Sequence, residues 1–363
     1  MSDMDKKKRI AIIGTVGIPA NYGGFETLAE NLVRYHHETN NPSVLTVWCS
    51  GKGLHDNPSN YLSSSLRYVN LNANGLQSIP YDILSLLQVV FLRYDRVLVL
   101  GVSGALFIPF VRLFSKTRII TNIDGIEWRR SKWGLLTKMF LRLSEAVAVS
   151  FSHELITDNV AISKYVERQY KVNSHTIAYG GDHALDRSEE PINFDLPDEY
   201  SLALCRIEPE NNVHMILEGF SNTTKNLVFI GNWENSDYGM ALRAKYDVFY
   251  NIRMLNPIYD IKTLYYIRSK ASNYIHGHSA GGTNPSLVEM MHFGMPVIAF
   301  DCTFNKYSTE NCALYFDSAE TLNGILSQIN KAVSMAIGLK MLEIAKAKYT
   351  WKEIGRKYFD LLN

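Results

Sequence analysis

Three turns in the sequence carry residue types suited to holding an anionic ligand. The first is Gly14-Thr-Val-Gly17-Ile-Pro-Ala-Asn-Tyr22-Gly23-Gly24-Phe-Glu26-Thr27, between an apolar run and an amphipathic stretch. Glycines let the backbone approach a ligand closely, and a helix start favours an anion. The spacing is not a dinucleotide fingerprint: Val16 stands two after Gly14, the loop is too long, and no Gly-Lys-Ser/Thr makes a Walker loop. A plain turn needing positive φ accounts for the same glycines. The second turn, Leu204-Cys205-Arg206-Ile207-Glu208-Pro209-Glu210-Asn211-Asn212, sets Arg206 at the carboxyl end of a strand. A guanidinium there suits a diphosphate through bidentate, charge-assisted hydrogen bonds. Surface pairing with Glu208 or Glu210 is the alternative.

The third turn runs from His276 to Pro296 and is the most informative. Asn284 is a good N-cap and Pro285 a good first helical residue. Gly294 suits the left-handed position after a helix, and Pro296 prevents its continuation. The pattern predicts a short helix over 285–293, with Gly281 and Gly282 before it, so that backbone N–H groups face a ligand. Glu289, just over one turn in, can complement the helix dipole or accept hydrogen bonds from sugar hydroxyls.

These turns need a scaffold of strands and helices. Short apolar runs alternate with amphipathic stretches nearly throughout. Strands are predicted at 10–13, 44–48, 97–100, 118–121 and 155–157, and again at 201–207, 227–230, 248–252, 273–276 and 297–300. Helical spacing follows the first strand at Phe25, Leu28, Ala29, Leu32 and Val33. This alternation implies mainly parallel sheets covered on both faces, with ligands at the carboxyl ends of strands. The turn-rich, charged stretch 180–197 reads as a linker. The expected domains are 1–180 and 181–345, with an amphipathic helix over 346–363.

The 363 residues allow about two domains. With 46% hydrophobic and 20% charged residues, the chain reads as globular rather than disordered. Lys and Arg number 37 against 36 Asp and Glu, for a net charge of +1, which speaks against nucleic acid as a partner. The four cysteines, Cys49, Cys205, Cys302 and Cys312, lie far apart and read as reduced thiols. The opening segment 1–9 is polar and basic, unlike a secretion signal. The apolar stretch 97–111 is too short to span a bilayer comfortably. The expectation is a cytoplasmic chain, with attachment to the inner face of a membrane left open.

In this order the pieces resemble GT-B glycosyltransferases, and within them the large retaining nucleotide-sugar family four. The resemblance covers essentially the whole chain. Tyr22-Gly-Gly-Phe-Glu-Thr27, Asn122-Ile-Asp124-Gly-Ile-Glu127-Trp128-Arg129-Arg130-Ser-Lys132-Trp133 and Arg206-Ile-Glu-Pro-Glu-Asn-Asn212 are similar to bacterial rhamnosyltransferases of cell-surface polysaccharide synthesis. The resemblance implies an α/β GT-B fold: two facing Rossmann-like domains with a catalytic crevice between them. The first would bind the acceptor and the second the nucleotide sugar, with the last helix crossing back to the first. Arg206 matches the family's diphosphate-binding arginine, but Asn211 stands where a lysine is usual. Glu289 matches the second acid of a Glu-x7-Glu motif, whose first acid falls on Gly281. Gly282, Thr283 and Asn284 match the segment that contacts donor sugar and phosphate. Gly17, with Gly23 or Gly24, would line the phosphate side.

The implied reaction moves a hexosyl group, rhamnose from dTDP-rhamnose, onto a glycan or lipid-linked saccharide. It would proceed with retention and without metal or cofactor, since the Asp3-Met-Asp5 match lies in a polar tail. Arg206 would stabilise the leaving diphosphate. Asp124 or Glu127 would orient the acceptor hydroxyl; a turn at Asp124-Gly125 and pairing of Glu127 with Arg129 or Arg130 are the alternatives. Trp128, Arg129, Arg130, Lys132 and Trp133 set cations beside aromatics, which suits anionic headgroups or a lipid-linked diphosphate, or a solvated helix start. Competing readings are a UDP- or GDP-hexose donor, a non-catalytic nucleotide-sugar-binding protein, and a nicotinamide oxidoreductase, which the broken fingerprint disfavours.

Overall fold

Runs of β-branched and aliphatic residues become the inner strands because both of their faces are covered. The computed structural model describes residues 7–20, 23–52, 57–130, 133–186 and 194–363. The chain divides into two units, Met1–Ala178 with Trp351–Asn363, and Tyr179–Thr350.

The first unit begins with β1 (Arg9–Ile13), α1 (Gly24–Glu38), β2 (Val44–Ser50), β3 (Asn60–Tyr61), β4 (Ser64–Val69) and α2 (Ser78–Phe91). It continues through β5 (Arg96–Leu100), α3 (Ile108–Phe114), β6 (Arg118–Asn122), α4 (Leu135–Phe151), β7 (Glu154–Thr157), α5 (Val160–Tyr170) and β8 (His175–Thr176). The eight strands lie in the order β3-β4-β2-β1-β5-β6-β7-β8. Pairing is parallel except between β3 and β4. Ile12 sits between Val47 and Leu98 in register.

In the second unit, β9 (Ser201–Leu204), α6 (Val213–Ser221), β10 (Leu227–Ile230), α7 (Asp237–Tyr246), β11 (Ile252–Leu255) and α8 (Ile261–Lys270) come first. They are followed by β12 (Asn273–His276), α9 (Pro285–Met291), β13 (Val297–Phe300), α10 (Thr303–Ser308), β14 (Leu314–Phe316), α11 (Ala319–Gln328) and α12 (Lys331–Lys348). The sheet order is β11-β10-β9-β12-β13-β14, with every pair parallel. This is the doubly wound order that reverses between its first and fourth strands. Its core includes Phe220, Phe229, Trp233 and Phe316.

The last helix, α13 (Trp351–Leu362), belongs to the first unit. Ile354, Tyr358, Phe359 and Leu362 form its buried stripe at helical spacing. Phe359 stacks on Tyr35 of α1 at 5.7 Å between ring centroids. The guanidinium of Arg96 donates to the carbonyls of Leu361 (2.8 Å) and Asn363 (3.1 Å), placing a cation at the negative end of the helix.

Several expected boundaries move. The strand predicted over 248–252 lies instead at Ile252–Leu255. Val248 is exposed, and buried Asn251 turns the chain by donating to the carbonyls of Phe220, Thr223 and Lys225. The strand predicted over 201–207 stops at Leu204, so Arg206 lies in the following turn. Helix α9 ends at Met291. In the stretch read as a linker, Asp182–Leu185 forms a 3-10 turn of the second unit, and 187–193 lie outside the described residues.

Candidate active site

In the second unit, β9 and β12 are neighbours at the point where strand order reverses, so the turns that follow them diverge. Hydrogen bonds join those turns. Asn211 is buried; its amide donates to the Arg206 carbonyl (2.7 Å), and its Oδ1 faces Nδ1 of His278 (2.7 Å). A carbonyl can only accept, which fixes the amide orientation and makes Nδ1 of His278 the donor to Oδ1. Asn212, in the left-handed region at φ 47°, donates to the Gly277 carbonyl (2.8 Å). Ser279 donates to the Glu210 carbonyl from both its backbone N–H and its hydroxyl. Asn211 is thus a structural tie between the two turns.

Arg206 itself remains 46% exposed, with the carboxylate of Glu208 3.7 Å away. That is too long for a firm hydrogen bond, so the guanidinium is available to an anion. Cys205 beside it is raised to about 12 by burial, which keeps the thiol neutral.

Glu289, on α9, meets Arg268 of α8 and His183 of the 3-10 turn. Arg268 bonds one carboxylate oxygen, and Nε2 of His183 lies 3.3 Å from the other. The Glu289 and Arg268 side chains are only 13% and 8% exposed. Burial alone would raise the Glu289 pKa, but Arg268 and then His183 outweigh it and hold it below the usual value. The carboxylate therefore stays ionised, with lone pairs left for further donors. Gly181 lets the 182–185 turn lie against α9: a Cβ there would come within 2.6 Å of the Val288 carbonyl. Neither Arg268 nor His183 carries a sequence signal, since each is defined by a contact with a distant residue.

The rest of this turn is built as a cap. Asn284 Oδ1 accepts from the backbone N–H of Ser286 (3.0 Å) and from its hydroxyl (2.8 Å). Thr283 is buried, and the Ser308 hydroxyl lies 3.5 Å from its own. Gly281 has φ +97° and precedes Gly282. The strand ends at His276, and the rings of His276 and His278 lie 6.1 Å apart. His276 is buried, and burial followed by its neighbour His278 pushes its pKa well below the usual value.

In the first unit, β1 and β5 flank the corresponding reversal. Gly14 adopts φ +88°, and a Cβ there would come 2.1 Å from the Leu100 carbonyl oxygen. Gly17 and Gly23 also lie at positive φ, and Gly24 is the first residue of α1. Glu26, in the first turn of α1, holds the loop from below: its carboxylate accepts from the Val16 N–H (2.8 Å) and the Thr15 hydroxyl (3.2 Å). Tyr22 lies outside the described residues. Asp82 of α2 belongs to no motif in the sequence. It is buried beside Gly104, its Oδ1 has no partner among the described residues, and burial raises it to about 7 against the lowering effect of the Gly104 N–H.

After β6, Asn122 Oδ1 accepts from the Asp124 N–H (2.8 Å), while its amide donates to the Tyr358 hydroxyl of α13 (2.7 Å). Asp124 sits at φ 61°. Glu127 pairs with Arg130 at 2.8 Å. Arg129 lies over the rings of Trp128 (5.1 Å) and Tyr165 (5.2 Å). Of the run read as a basic-aromatic surface, Arg129 is exposed, Trp128, Arg130 and Trp133 are half-buried, and Lys132 lies outside the described residues. The Asp3-x-Asp5 match also lies outside them. Among the described residues no three His, Cys, Asp or Glu side chains cluster as metal ligands, and no helix is long and apolar enough to cross a membrane.

Two Rossmann-like parallel sheets, each with its turns at the carboxyl ends of the strands, define the α/β fold of the GT-B glycosyltransferases. Residues 186–336 match the family model for Glycosyl transferases group 1, so the chain carries a group 1 glycosyltransferase domain and is a glycosyltransferase. Residues 7–182 match a Domain of unknown function (DUF1972).

Solved structures show the same fold at low identity. Sucrose-phosphate synthase from Thermosynechococcus elongatus is 14% identical with a TM-score of 0.78, covering 98% of each chain. HepE from Anabaena, determined with UDP, is 13% identical with a TM-score of 0.68, covering 98% of this chain and 99% of that one. Trehalose 6-phosphate synthase from Burkholderia multivorans is 12% identical with a TM-score of 0.70, covering 98% and 96%. No curated protein matches the chain.

Proposed function

We propose that this glycosyltransferase moves a hexosyl group, rhamnose from dTDP-rhamnose, to a glycan acceptor on a lipid carrier in cell-surface polysaccharide synthesis. The observation that carries the donor half is Arg206, half-exposed and weakly paired beside turns that Asn211 and His278 hold together. Arg206 would bind the diphosphate and stabilise its charge as it leaves. Glu289, kept ionised, would accept hydrogen bonds from the nucleoside sugar hydroxyls, with Gly282, Thr283 and Asn284 against the donor sugar. HepE, of the same fold, was determined with UDP-glucose, a donor of this chemical class.

In this reading the bond from the anomeric carbon to the phosphate oxygen breaks on the face where the acceptor oxygen bonds, which retains configuration. The acceptor proton passes to the leaving phosphate, and no metal takes part. Asp124 would orient the acceptor hydroxyl, with Glu127, Trp128 and Arg129 nearby in sequence.

A thermal-shift panel of dTDP-, UDP- and GDP-sugars tests the donor, since a true donor at a hundredfold its Kd stabilises by about 2.7 kcal/mol. Stabilisation by UDP- or GDP-sugars alone would reassign it. Transfer to a lipid-linked saccharide should persist in EDTA; loss restored by magnesium or manganese ends the metal-free reading. Binding without transfer across all acceptors would leave a nucleotide-sugar-binding protein.

A further inference from the structure

Residues 277–279, directly after β12, are each tied by a hydrogen bond to another turn or helix of the second unit. The Gly277 carbonyl accepts from Asn212 at 2.8 Å, and Ser279 donates twice to the Glu210 carbonyl. The His278 carbonyl accepts from the amide of Asn305 on α10 (2.8 Å), a buried side chain that also donates to the Phe300 carbonyl (2.9 Å). These bonds hold the turn before the imidazole of His278 is counted. The ring is fixed separately. Its Nδ1 donates to Asn211 Oδ1 at 2.7 Å, and the Asn211 amide is in turn held by the Arg206 carbonyl. Keeping the turn in place accounts for the backbone bonds, but not for a half-buried ring locked in one orientation.

That orientation decides what the other ring nitrogen can do. With the hydrogen on Nδ1, a neutral imidazole carries its lone pair on Nε2, which then acts as an acceptor. Nε2 faces the Gly281 turn: a Cβ at Gly281 would come 3.4 Å from it. Among the described residues no other heavy atom outside the immediate chain neighbours lies within 4 Å of that point. Gly281 has φ +97°, so a residue with a side chain would be strained there. The glycine thus keeps open the space beside Nε2. Gly282 and buried Thr283 follow directly, and the proposed reading sets both against the donor sugar. A fixed acceptor at the head of that segment suits a hydroxyl, and a hexose presents hydroxyls in fixed directions. An ionised phosphate oxygen brings no hydrogen and is a poor partner for a lone pair.

We propose that Nε2 of His278 accepts a hydrogen bond from a hydroxyl of the donor's hexosyl group, which makes His278 a specificity-determining residue for the sugar. This rests on the donor reading above and deepens it. Isothermal titration at about pH 8, where an ordinary histidine is neutral, compares each nucleoside diphosphate with its sugar nucleotide. The pairs are dTDP with dTDP-rhamnose, UDP with UDP-glucose, and GDP with GDP-mannose. The pair that wild type binds identifies the donor. A pair other than the dTDP one corrects that reading, while the comparison within the pair still tests His278. His278→Asn keeps an amide donor where Nδ1 stands and removes Nε2. It should weaken the sugar nucleotide about tenfold and leave the nucleoside diphosphate within about twofold of wild type. His278→Gln, whose longer side chain carries an amide towards the place of Nε2, should recover most of that loss. Equal weakening of both ligands, no change in either, or a Gln variant as weak as the Asn variant would each overturn the proposal. So would a wild type that binds none of the pairs. If the variants fail to fold, heteronuclear NMR of the histidine ring nitrogens in wild type decides. One unprotonated resonance should move when the sugar nucleotide replaces the nucleoside diphosphate, and no movement would overturn the proposal.

Discussion

Arg268→Gln is expected to destabilise the second unit in a pH-dependent way. The side chains of Arg268 and Glu289 are 8% and 13% exposed, so their ion pair is largely withdrawn from water. Removing one partner of a buried pair typically costs about 3–5 kcal/mol, because the other charge is left uncompensated. Nε2 of His183 remains 3.3 Å from Glu289, so the loss should fall near the lower end, about 3 kcal/mol. The sign with pH follows from the carboxyl group. In the wild type, burial opposes ionisation, but Arg268 and then His183 hold the Glu289 pKa below its ordinary value. Its contribution is therefore present above the unfolded value of about 4.3 and disappears as pH falls through the lowered one. Without Arg268, burial dominates and the pKa rises. The variant then loses stability as pH climbs above about 4.3. The gap between the two proteins should be widest near about pH 7.5 and shrink towards about pH 4.5. Urea unfolding at both pH values measures the gap, and hydrogen exchange of the α9 amides localises it. A loss below about 1 kcal/mol near neutrality, the range of an exposed pair, would refute the reasoning. So would an equal loss at both pH values.

Asp82→Asn should remove a different pH dependence. Burial, partly offset by the Gly104 N–H, raises Asp82 to about 7, so wild-type stability should decline by up to about 4 kcal/mol as pH rises from about 4 to 7. The variant should show a flatter urea-midpoint profile over that range; matching slopes would remove Asp82 as the cause. Tyr358→Phe deletes the acceptor for the buried Asn122 amide. It should cost about 1–2 kcal/mol and lower the calorimetric Tm by several degrees, so an unchanged Tm would show that the bond contributes nothing. Asp124→Asn keeps a residue type that tolerates the left-handed backbone at this position. It should lower kcat far more than it changes the donor KM, and an unchanged kcat takes Asp124 out of the mechanism.

Local pattern carried much of the fold. Apolar runs bounded by turn residues were enough for β10, β12 and β13, whose predicted limits coincide with the observed ones. Asn284-Pro285 likewise marked the start of α9 through its cap. What escaped were features made by distant partners. The two-residue strands β3 and β8 exist only through pairing with β4 and β7, and two residues have no period to read. The displacement of β11 comes from three carbonyls gathered by Asn251, all at least 25 positions earlier. Glu289 stood out by motif, yet its electrostatics belong to Arg268 and His183. Asp82 belongs to no motif, and only the fold shows it to be buried.

The return of α13 to the first unit has a consequence for synthesis. The chain leaves that unit after Ala178 and rejoins it at Trp351. At about 5–20 residues per second, a ribosome needs on the order of ten to thirty seconds to make the intervening stretch. Throughout that interval the Asn122 amide waits for a hydroxyl 236 positions downstream, and Tyr35 lies without the ring of Phe359. The second unit has its complete sheet before the first has its last helix. The first unit, begun first, is therefore completed last, and its nascent form keeps an open seam at Asn122 and Tyr35 until α13 has been made.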